Sequence, residues 1–225
     1  MNKPHFILYK FASRSRKDKF FNCIDNIQRR QKDKENYKIL CSLDTDDLTM
    51  NNIEVINKLS LYTNVEVCWG TSKNKIDAIN RDMDGQEFDI LINTSDDMDF
   101  VQFGFDQTIR DHMKKYYPDL DGILHYNDGT SSGERVMTLS IMGKKWYDRF
   151  NYIYHPDYTS LWSDNEATEV GNILGKRTYF TEVLFHHNHP GHGKAKYDQQ
   201  YLKTESFYAS DKVIFEQRKA KNFDL

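Results

Sequence analysis

Apolar residues in the first half of the chain alternate between short continuous runs and positions spaced three or four apart. The continuous runs predict four buried strands, at residues 6–11, 37–43, 65–69 and 88–93. The spaced positions predict three helices, near residues 20–30, 53–59 and 75–81. This alternation predicts an α/β fold in a single domain, with a mostly parallel central sheet and helices on both faces.

The second half of the chain has less regular patterning. Its apolar runs predict strands at 122–126 and 136–142 and an extended segment at 183–189. Its helical spacing predicts helices at 106–117, 166–174 and 210–218. We therefore assign residues 1–195 to the α/β domain and residues 196–225 to a C-terminal helical extension packed on it.

Composition narrows the class of protein. The 225 residues are 38% hydrophobic and 29% charged, which suits a globular chain with a substantial core. A net charge of −3 disfavours nucleic acid and anionic membranes as partners. The apolar start is too short for a secretory signal, and no apolar run reaches the roughly 20 residues of a membrane helix. We expect a cytoplasmic protein with reduced cysteines.

Acidic residues follow two of the predicted strands. Ser95-Asp96-Asp97-Met98 comes directly after the fourth strand, and Asp44 ends the second. Ligands bind at the carboxyl ends of the strands in such sheets, and a hard cation between carboxylate and phosphate oxygens holds a diphosphate well. The alternatives are a polar turn at residues 95–98 and a helix N-cap at Asp46 or Asp47.

The order of these features resembles the family 2 glycosyltransferases, which have the Rossmann-like GT-A fold. The resemblance covers roughly residues 5–190 and is sharpest from Ile90 to Met98. It implies a nucleotide-sugar donor and Mn²⁺ or Mg²⁺ as cofactor. By position, Asp97 would bind the metal and Asp96 the ribose, unless Asp97-Met98-Asp99 is the true register of the motif.

The same resemblance implies further donor-binding residues. Asp44 would meet the nucleobase, and because an aspartate can accept the imide N–H of uracil, the donor is expected to be a UDP-sugar. Ser13 and Arg14 would flank the base. Lys75 and Asn80 match a short helix that helps to hold the nucleotide, although either is equally consistent with a solvated surface residue.

Ser163-Asp164-Asn165-Glu166 stands where the resemblance implies the catalytic base. An inverting transfer needs a carboxylate that deprotonates the acceptor hydroxyl, and Asp164 and Glu166 are the two candidates. Ser163 and Glu166 also have the spacing of a helix capping box. A capping box would occupy the Glu166 side chain with the helix N-terminus, which favours Asp164 as the base.

Four histidines lie within residues 186–192. If residues 183–189 are extended, His187 and His189 share one face. The resemblance to GT-A enzymes implies a histidine far downstream of the acidic motif that completes the metal site with Asp97, and His187 or His189 would fit that role. Imidazole together with carboxylate oxygen suits Mn²⁺ better than Mg²⁺. A separate zinc site is the alternative reading.

The prediction is an inverting, metal-dependent glycosyltransferase that moves a sugar to an acceptor hydroxyl on a glycan or small molecule. Three alternatives stay open: a sugar-nucleotide nucleotidyltransferase, a viral-type transferase acting on modified DNA bases, and a non-catalytic nucleotide-sugar-binding module. A nucleotidyltransferase usually has a glycine-rich loop after its first strand. Residues 13–16 have arginines but no glycine, which weakens that alternative.

Overall fold

Nine strands and eight helices make up the described part of the chain, which a computed structural model gives for residues 3–130, 133–190 and 198–225. The strands are β1 (Ile7–Ala12), β2 (Tyr37–Asp44), β3 (Val65–Gly70), β4 (Ile90–Thr94), β5 (Met98–Phe100), β6 (Ile123–Asn127), β7 (Ser140–Gly143), β8 (Arg177–Val183) and β9 (Phe185–His187). The helices are α1 (Lys17–Arg30), α2 (Ile53–Leu59), α3 (Lys75–Asn80), α4 (Phe105–Tyr116), α5 (Lys144–Phe150), α6 (Ser163–Ile173), α7 (Gln199–Glu205) and α8 (Tyr208–Ala220).

Seven strands form the central sheet in the order β3-β2-β1-β4-β7-β6-β8. Strands β1 to β4 are parallel to one another and β6 is parallel to β8, whereas β7 runs antiparallel to both β4 and β6. The predicted mostly parallel α/β sheet is therefore confirmed. Since β1, β2 and β4 are adjacent and parallel, Ser13, Asp44 and Ser95 all follow strand ends at one edge of the sheet.

Two apolar clusters cover the two faces of the sheet. One joins the inward residues of α1, α2 and α4 to alternate residues of the strands, such as Tyr9 and Ile92. The other joins α3, α5, α6 and α8 to the intervening residues, such as Leu8 and Leu91. Helices on both faces of the sheet are as predicted, and the continuous apolar runs are explained because successive strand residues enter opposite clusters.

A small second sheet was not predicted. Strand β5 pairs antiparallel with β9, with Met98 opposite His187 and Asp99 opposite His186. Strand β8, also unpredicted, is rich in half-buried polar residues and therefore lacks an apolar run. This small sheet matters for the site because it brings the histidine segment beside the acidic tetrapeptide.

Helix α2 begins at Asn52, whose side chain accepts a hydrogen bond from the Val55 N–H at 3.1 Å. The predicted cap at Asp46 or Asp47 is therefore wrong. Asp47 instead closes the preceding turn, accepting from the Thr49 hydroxyl at 2.7 Å.

The C-terminal residues pack on the rest of the molecule through α8, which contacts α6. The predicted boundary between residues 195 and 196 lies outside the described residues. In the described ranges, none of the helices combines the length and the apolar character needed to cross a membrane.

Candidate donor and catalytic site

Asp97 is the most heavily engaged carboxylate of the acidic tetrapeptide. Its Oδ2 lies 3.4 Å from His187 Nε2 and accepts a hydrogen bond from the Tyr201 hydroxyl at 3.0 Å, while Oδ1 accepts from the Ser95 hydroxyl. Burial alone would raise the pKa of Asp97, but His187, Ser95 and the charge of Lys75 outweigh it and hold the pKa far below its ordinary value. Asp97 is therefore a buried group that stays anionic.

Asp96 faces the loop after β1. It accepts hydrogen bonds from the Ser13 hydroxyl at 2.6 Å and from Arg16 Nη1 at 2.8 Å. Burial raises the pKa of Asp96 despite the favourable charge of Arg16, and the neighbouring Asp97 adds to that rise. The two adjacent carboxylates thus have different surroundings and opposite pKa shifts, as two different tasks would require.

Asp99 lies on the exposed side of β5. Its carboxylate accepts a hydrogen bond from the Asn188 side-chain amide at 2.7 Å, and its strand neighbours Met98 and Phe100 are buried. The His187 side chain approaches Asp97 at 3.4 Å. This arrangement favours Asp96 and Asp97 as the functional pair over the register that uses Asp99.

Asp44 lies at the end of β2, and its side chain is 11% exposed. It accepts hydrogen bonds from Arg14 Nη1 at 2.8 Å and from the Ser72 hydroxyl at 2.6 Å, with Arg81 at 3.8 Å. Arg14 also forms a two-pronged ion pair with Asp46 at 2.7 and 2.8 Å. Ser13, Arg14 and Asp44 therefore come together at the strand edge as the sequence predicted, with Ser72 as an additional partner.

Asp164 is in the first turn of α6 and shares its charged neighbours with Asp97. Burial raises the pKa of Asp164, and the charges of Lys75 and His187 partly offset that rise. Lys75 and His187 also lower the pKa of Asp97. Lys75 and His187 therefore influence both carboxylates.

Glu166 is occupied elsewhere. Its carboxylate accepts hydrogen bonds from Arg218 at 2.8 and 2.9 Å and from the Tyr158 hydroxyl at 2.8 Å. The predicted capping box does not form, because Trp162 is the N-cap of α6 and makes no side-chain cap. These contacts leave Asp164 as the better placed of the two candidate bases.

Asn80, the last residue of α3, is used to hold a loop. Its amide oxygen accepts from the backbone N–H groups of Ile153 and Tyr154 at 2.9 and 3.1 Å, and its amide nitrogen donates to the Tyr154 carbonyl at 2.6 Å. Lys75, at the opposite end of the same helix, is exposed. Of this predicted pair, only Lys75 is free of such a structural task and close to the carboxylates.

Two residues near the acidic motif were missed by the sequence reading. Arg16 links Asp96 to Asp198 at 2.8 and 2.7 Å and lies over the Tyr201 ring, 4.0 Å from its centroid. Tyr201, on α7, donates to Asp97. Arg16 was visible in the cluster at residues 13–16, whereas no local signal marks Tyr201, which is 104 positions from its partner.

The donor atoms near Asp97 fit a divalent cation. A carboxylate held in its anionic form lies beside an imidazole nitrogen, and His189 is close by, its ring 5.4 Å from that of His187. Oxygen and nitrogen together suit Mn²⁺. Within the described ranges, no three His, Cys, Asp or Glu side chains form a complete metal cluster, so a ligand or water would have to supply the remaining oxygens. His192 lies outside those ranges.

Comparison with solved structures gives related folds. The mannosyltransferase PcManGT from Pyrobaculum calidifontis, solved with GDP-Man and Mn²⁺, aligns with a TM-score of 0.62 at 10% identity, over 81% of this chain and 56% of that one. S. aureus TarS 1–349 with UDP-GlcNAc gives 0.63 at 9% identity, over 86% and 62%. The same TarS fragment with UDP gives 0.63 at 8% identity, over 80% and 60%.

This likeness confirms the predicted glycosyltransferase fold of GT-A type. The chain spans less than two thirds of the length of these structures. No protein-family model and no curated protein matches its sequence.

Proposed function

We propose that this chain is the catalytic domain of an inverting, metal-dependent glycosyltransferase that uses a nucleotide-diphosphate sugar. The observation that carries the proposal is that Asp97 lies against His187 after a strand of the parallel sheet, while Lys75 and His187 influence the pKa of both Asp97 and Asp164. Asp97 stays anionic beside His187, and Asp164 has a raised pKa. A donor site and a proton-accepting site side by side are what transfer from a diphosphate to a hydroxyl requires.

The donor-binding half would consist of residues at the parallel strand ends. Asp97 with His187, and with His189 nearby, would hold Mn²⁺ or Mg²⁺, which neutralises charge on the departing diphosphate. Asp96 would accept a hydrogen bond from the ribose, and Lys75 would add a positive charge beside the phosphates.

We infer that the nucleoside is uridine. Asp44 accepts hydrogen bonds from Arg14 and Ser72, which fix its orientation and leave its remaining lone pairs for a donor on a base. Uracil offers one imide N–H to such a carboxylate. Guanine also offers N–H donors, and PcManGT was solved with GDP-Man, so GDP is the competitor that a binding experiment must include.

Asp164 would act as the general base. A carboxylate whose burial raises its pKa accepts a proton more readily than an ordinary aspartate once it is deprotonated. Inversion requires this base on the face of the sugar opposite the nucleotide, and Asp164 comes from the second half of the chain while the donor residues come mainly from the first. Asn80 would contribute indirectly by holding residues 153–154.

The acceptor is proposed to be a hydroxyl on a glycan or a small molecule, with a single sugar transferred. The net charge of −3 disfavours DNA as the acceptor. A cytoplasmic location stays a prediction.

A thermal-shift panel tests the donor proposal. UDP, GDP and their sugar conjugates are each added with and without Mn²⁺, because a ligand that binds only the folded state raises Tm by mass action. We expect the largest rise with a UDP species and a clear dependence on metal. A rise with nucleoside triphosphates alone would point to a nucleotidyltransferase, and no rise with any nucleotide would refute the proposal.

The variants Asp97→Asn and Asp99→Asn form a matched pair for the metal site. Both replace a carboxylate in the same short segment, but only Asp97 lies against His187. We expect Asp97→Asn to lose the metal-dependent part of the Tm rise and Asp99→Asn to keep it. The reverse result would assign the metal to the Asp97-Met98-Asp99 register.

A further inference from the structure

We propose that helix α8 is a positioning element for Asp164, with Asp211 and Arg218 as its positioning residues. This inference rests on the proposed function, since it concerns the residue assigned as the base. Among the described residues, the hydrogen bonds of Asp211 and Arg218 go to residues 159–161, 166 and 223–224, away from the proposed donor site.

Asp211 fixes the chain immediately before α6. Its side chain is fully buried, and its carboxylate accepts hydrogen bonds from the backbone N–H groups of Thr159, Ser160 and Leu161 at 3.1, 2.8 and 2.7 Å. Three N–H groups converging on one carboxylate define the path of the backbone, and without Asp211 they would be left unsatisfied in a buried position.

Arg218 fixes the first turn of α6 through Glu166, which follows Asp164 in the sequence. Its Nε and Nη2 donate to the two oxygens of Glu166 at 2.8 and 2.9 Å, and both side chains are less than 10% exposed. The bidentate geometry sets the orientation of Glu166 as well as its position. Glu166 is two residues beyond Asp164, so the turn that carries the base is held.

A ring contact lies between these two polar anchors. Phe215 packs against Trp162, with ring centroids 5.1 Å apart. Asp211, Phe215 and Arg218 are spaced four and three residues apart, so they occupy one face of α8. On that face, Asp211 binds residues 159–161, Phe215 packs on Trp162, and Arg218 binds Glu166.

The Asp164 carboxylate accepts a hydrogen bond from the N–H of Asn165 at 2.9 Å, within the same turn. The basic residues that influence its pKa are Lys75 and His187, which belong to the proposed donor site. The backbone on both sides of Asp164 is therefore held by α8 through residues other than Asp164. Because small displacements of a reacting group reduce rates steeply, loosening this clamp should affect transfer far more than donor binding.

The test uses the 225-residue chain with Asp211→Asn and Arg218→Lys, and with Glu216→Gln as the matched control on the exposed side of α8. The Glu216 side chain is 62% exposed, and its ion pair with Lys212 is at the surface, at 3.7 Å. The first readout is hydrogen exchange of the peptides covering residues 159–166 in the ligand-free proteins. The second is release of UDP from the UDP-sugar that gives the largest Tm rise, at a temperature well below Tm.

We expect both clamp variants to speed exchange in residues 159–166 while β1 to β4 keep wild-type protection. The kcat for UDP release should fall by about 10- to 100-fold with KM for the donor nearly unchanged. The acid limb of the rate should also move to lower pH, because Asp164 becomes more exposed to water. The control variant should match the wild type in all of these.

Unchanged exchange in residues 159–166 for both clamp variants would overturn the proposal, whatever their activity. A kcat for UDP release equal to that of the wild type, in both clamp variants, would also overturn the proposal. If the wild type binds no nucleotide and releases no UDP, the proposed function fails, and the exchange pattern still decides whether α8 holds the Asp164 segment.

Discussion

Lys10 is a charged side chain buried inside the sheet. It lies on β1 with no exposed surface and donates to the Ser42 hydroxyl, which in turn donates to the Asp82 carboxylate at 2.5 Å. Burial lowers the pKa of Lys10 to about 8, although the charge of Asp82 opposes the shift. The polar chain continues from Asp82 to Arg81, which donates to the Ser72 hydroxyl beside Asp44.

The lowered pKa of Lys10 predicts a pH dependence of stability. Between a folded pKa of about 8 and an unfolded value near 10.5, the unfolded chain binds more protons, so the free energy of unfolding rises with pH through that window. The rise amounts to roughly 3 kcal/mol at most. Lys10→Met should remove it, which urea unfolding of both proteins across this window measures.

The control for this prediction is Lys38→Met on the adjacent strand β2. Lys38 is 28% exposed and pairs with Glu66 at the surface, at 2.8 Å. This variant should keep the wild-type pH dependence. If the wild type and Lys10→Met show the same pH dependence, the side chain of Lys10 does not titrate in this window.

At the level of single residues, the sequence predicted site carboxylates but not their partners. Asp96 and Asp97 were predicted from their position after an apolar strand and from the resemblance of that segment to the glycosyltransferase motif, and their roles stay a prediction. The partner of Glu166 is Arg218, 52 positions away, and no periodicity or spacing links them. Contacts of this kind follow from how α6 and α8 pack, so only the folded chain reveals them.

At the level of elements, α3 is fastened at its C-terminal end. The single side chain of Asn80 makes three hydrogen bonds to the backbone of residues 153–154. The sequence reading left Asn80 between a nucleotide ligand, implied by the lysine–asparagine spacing of the resemblance, and a solvated surface residue. A structural role and a ligand role predict different behaviour for the same substitution.

Asn80→Ala should lower the free energy of unfolding by about 1–3 kcal/mol, because buried N–H groups lose their acceptor. Affinity for UDP with Mn²⁺, measured well below Tm, should stay close to that of the wild type. Asn57→Ala, an exposed asparagine on α2, is the control and should change neither quantity. A loss of UDP affinity without a loss of stability would restore Asn80 as a direct ligand.

The elements that were predicted correctly are those with long apolar patterns. Strands β1 to β4 and helices α1 and α4 bury one face or both, so their periodicity is visible in the sequence. Strand β5 has three residues and exists through its pairing with β9, which lies more than 80 positions later. Helix α7 has a single buried residue, Tyr201, and therefore no apolar stripe to predict it.

At the scale of the whole molecule, the proposed site draws on both sheets. The parallel strands β1, β2 and β4 and the residues directly after them carry Ser13, Asp44, Asp96 and Asp97, whereas His187 is on β9 of the small sheet and Asp164 is on α6. The pKa of Asp97 is lowered and that of Asp164 is raised, so the two carboxylates should be protonated at different pH values. Titration can therefore separate the two proposed tasks.

Acid should abolish transfer before it abolishes donor binding. The pKa of Asp164 is raised by burial, so on lowering the pH this base is protonated above the ordinary range of an aspartate, and the transfer rate falls there. The pKa of Asp97 is held far below that range, so its carboxylate stays charged and able to bind the cation where Asp164 is already protonated. Measuring UDP release and the Tm rise with UDP and Mn²⁺ at the same series of pH values separates the two midpoints. If rate and binding fall together, or if the rate falls only at the pH of an ordinary aspartate, Asp164 is not the base.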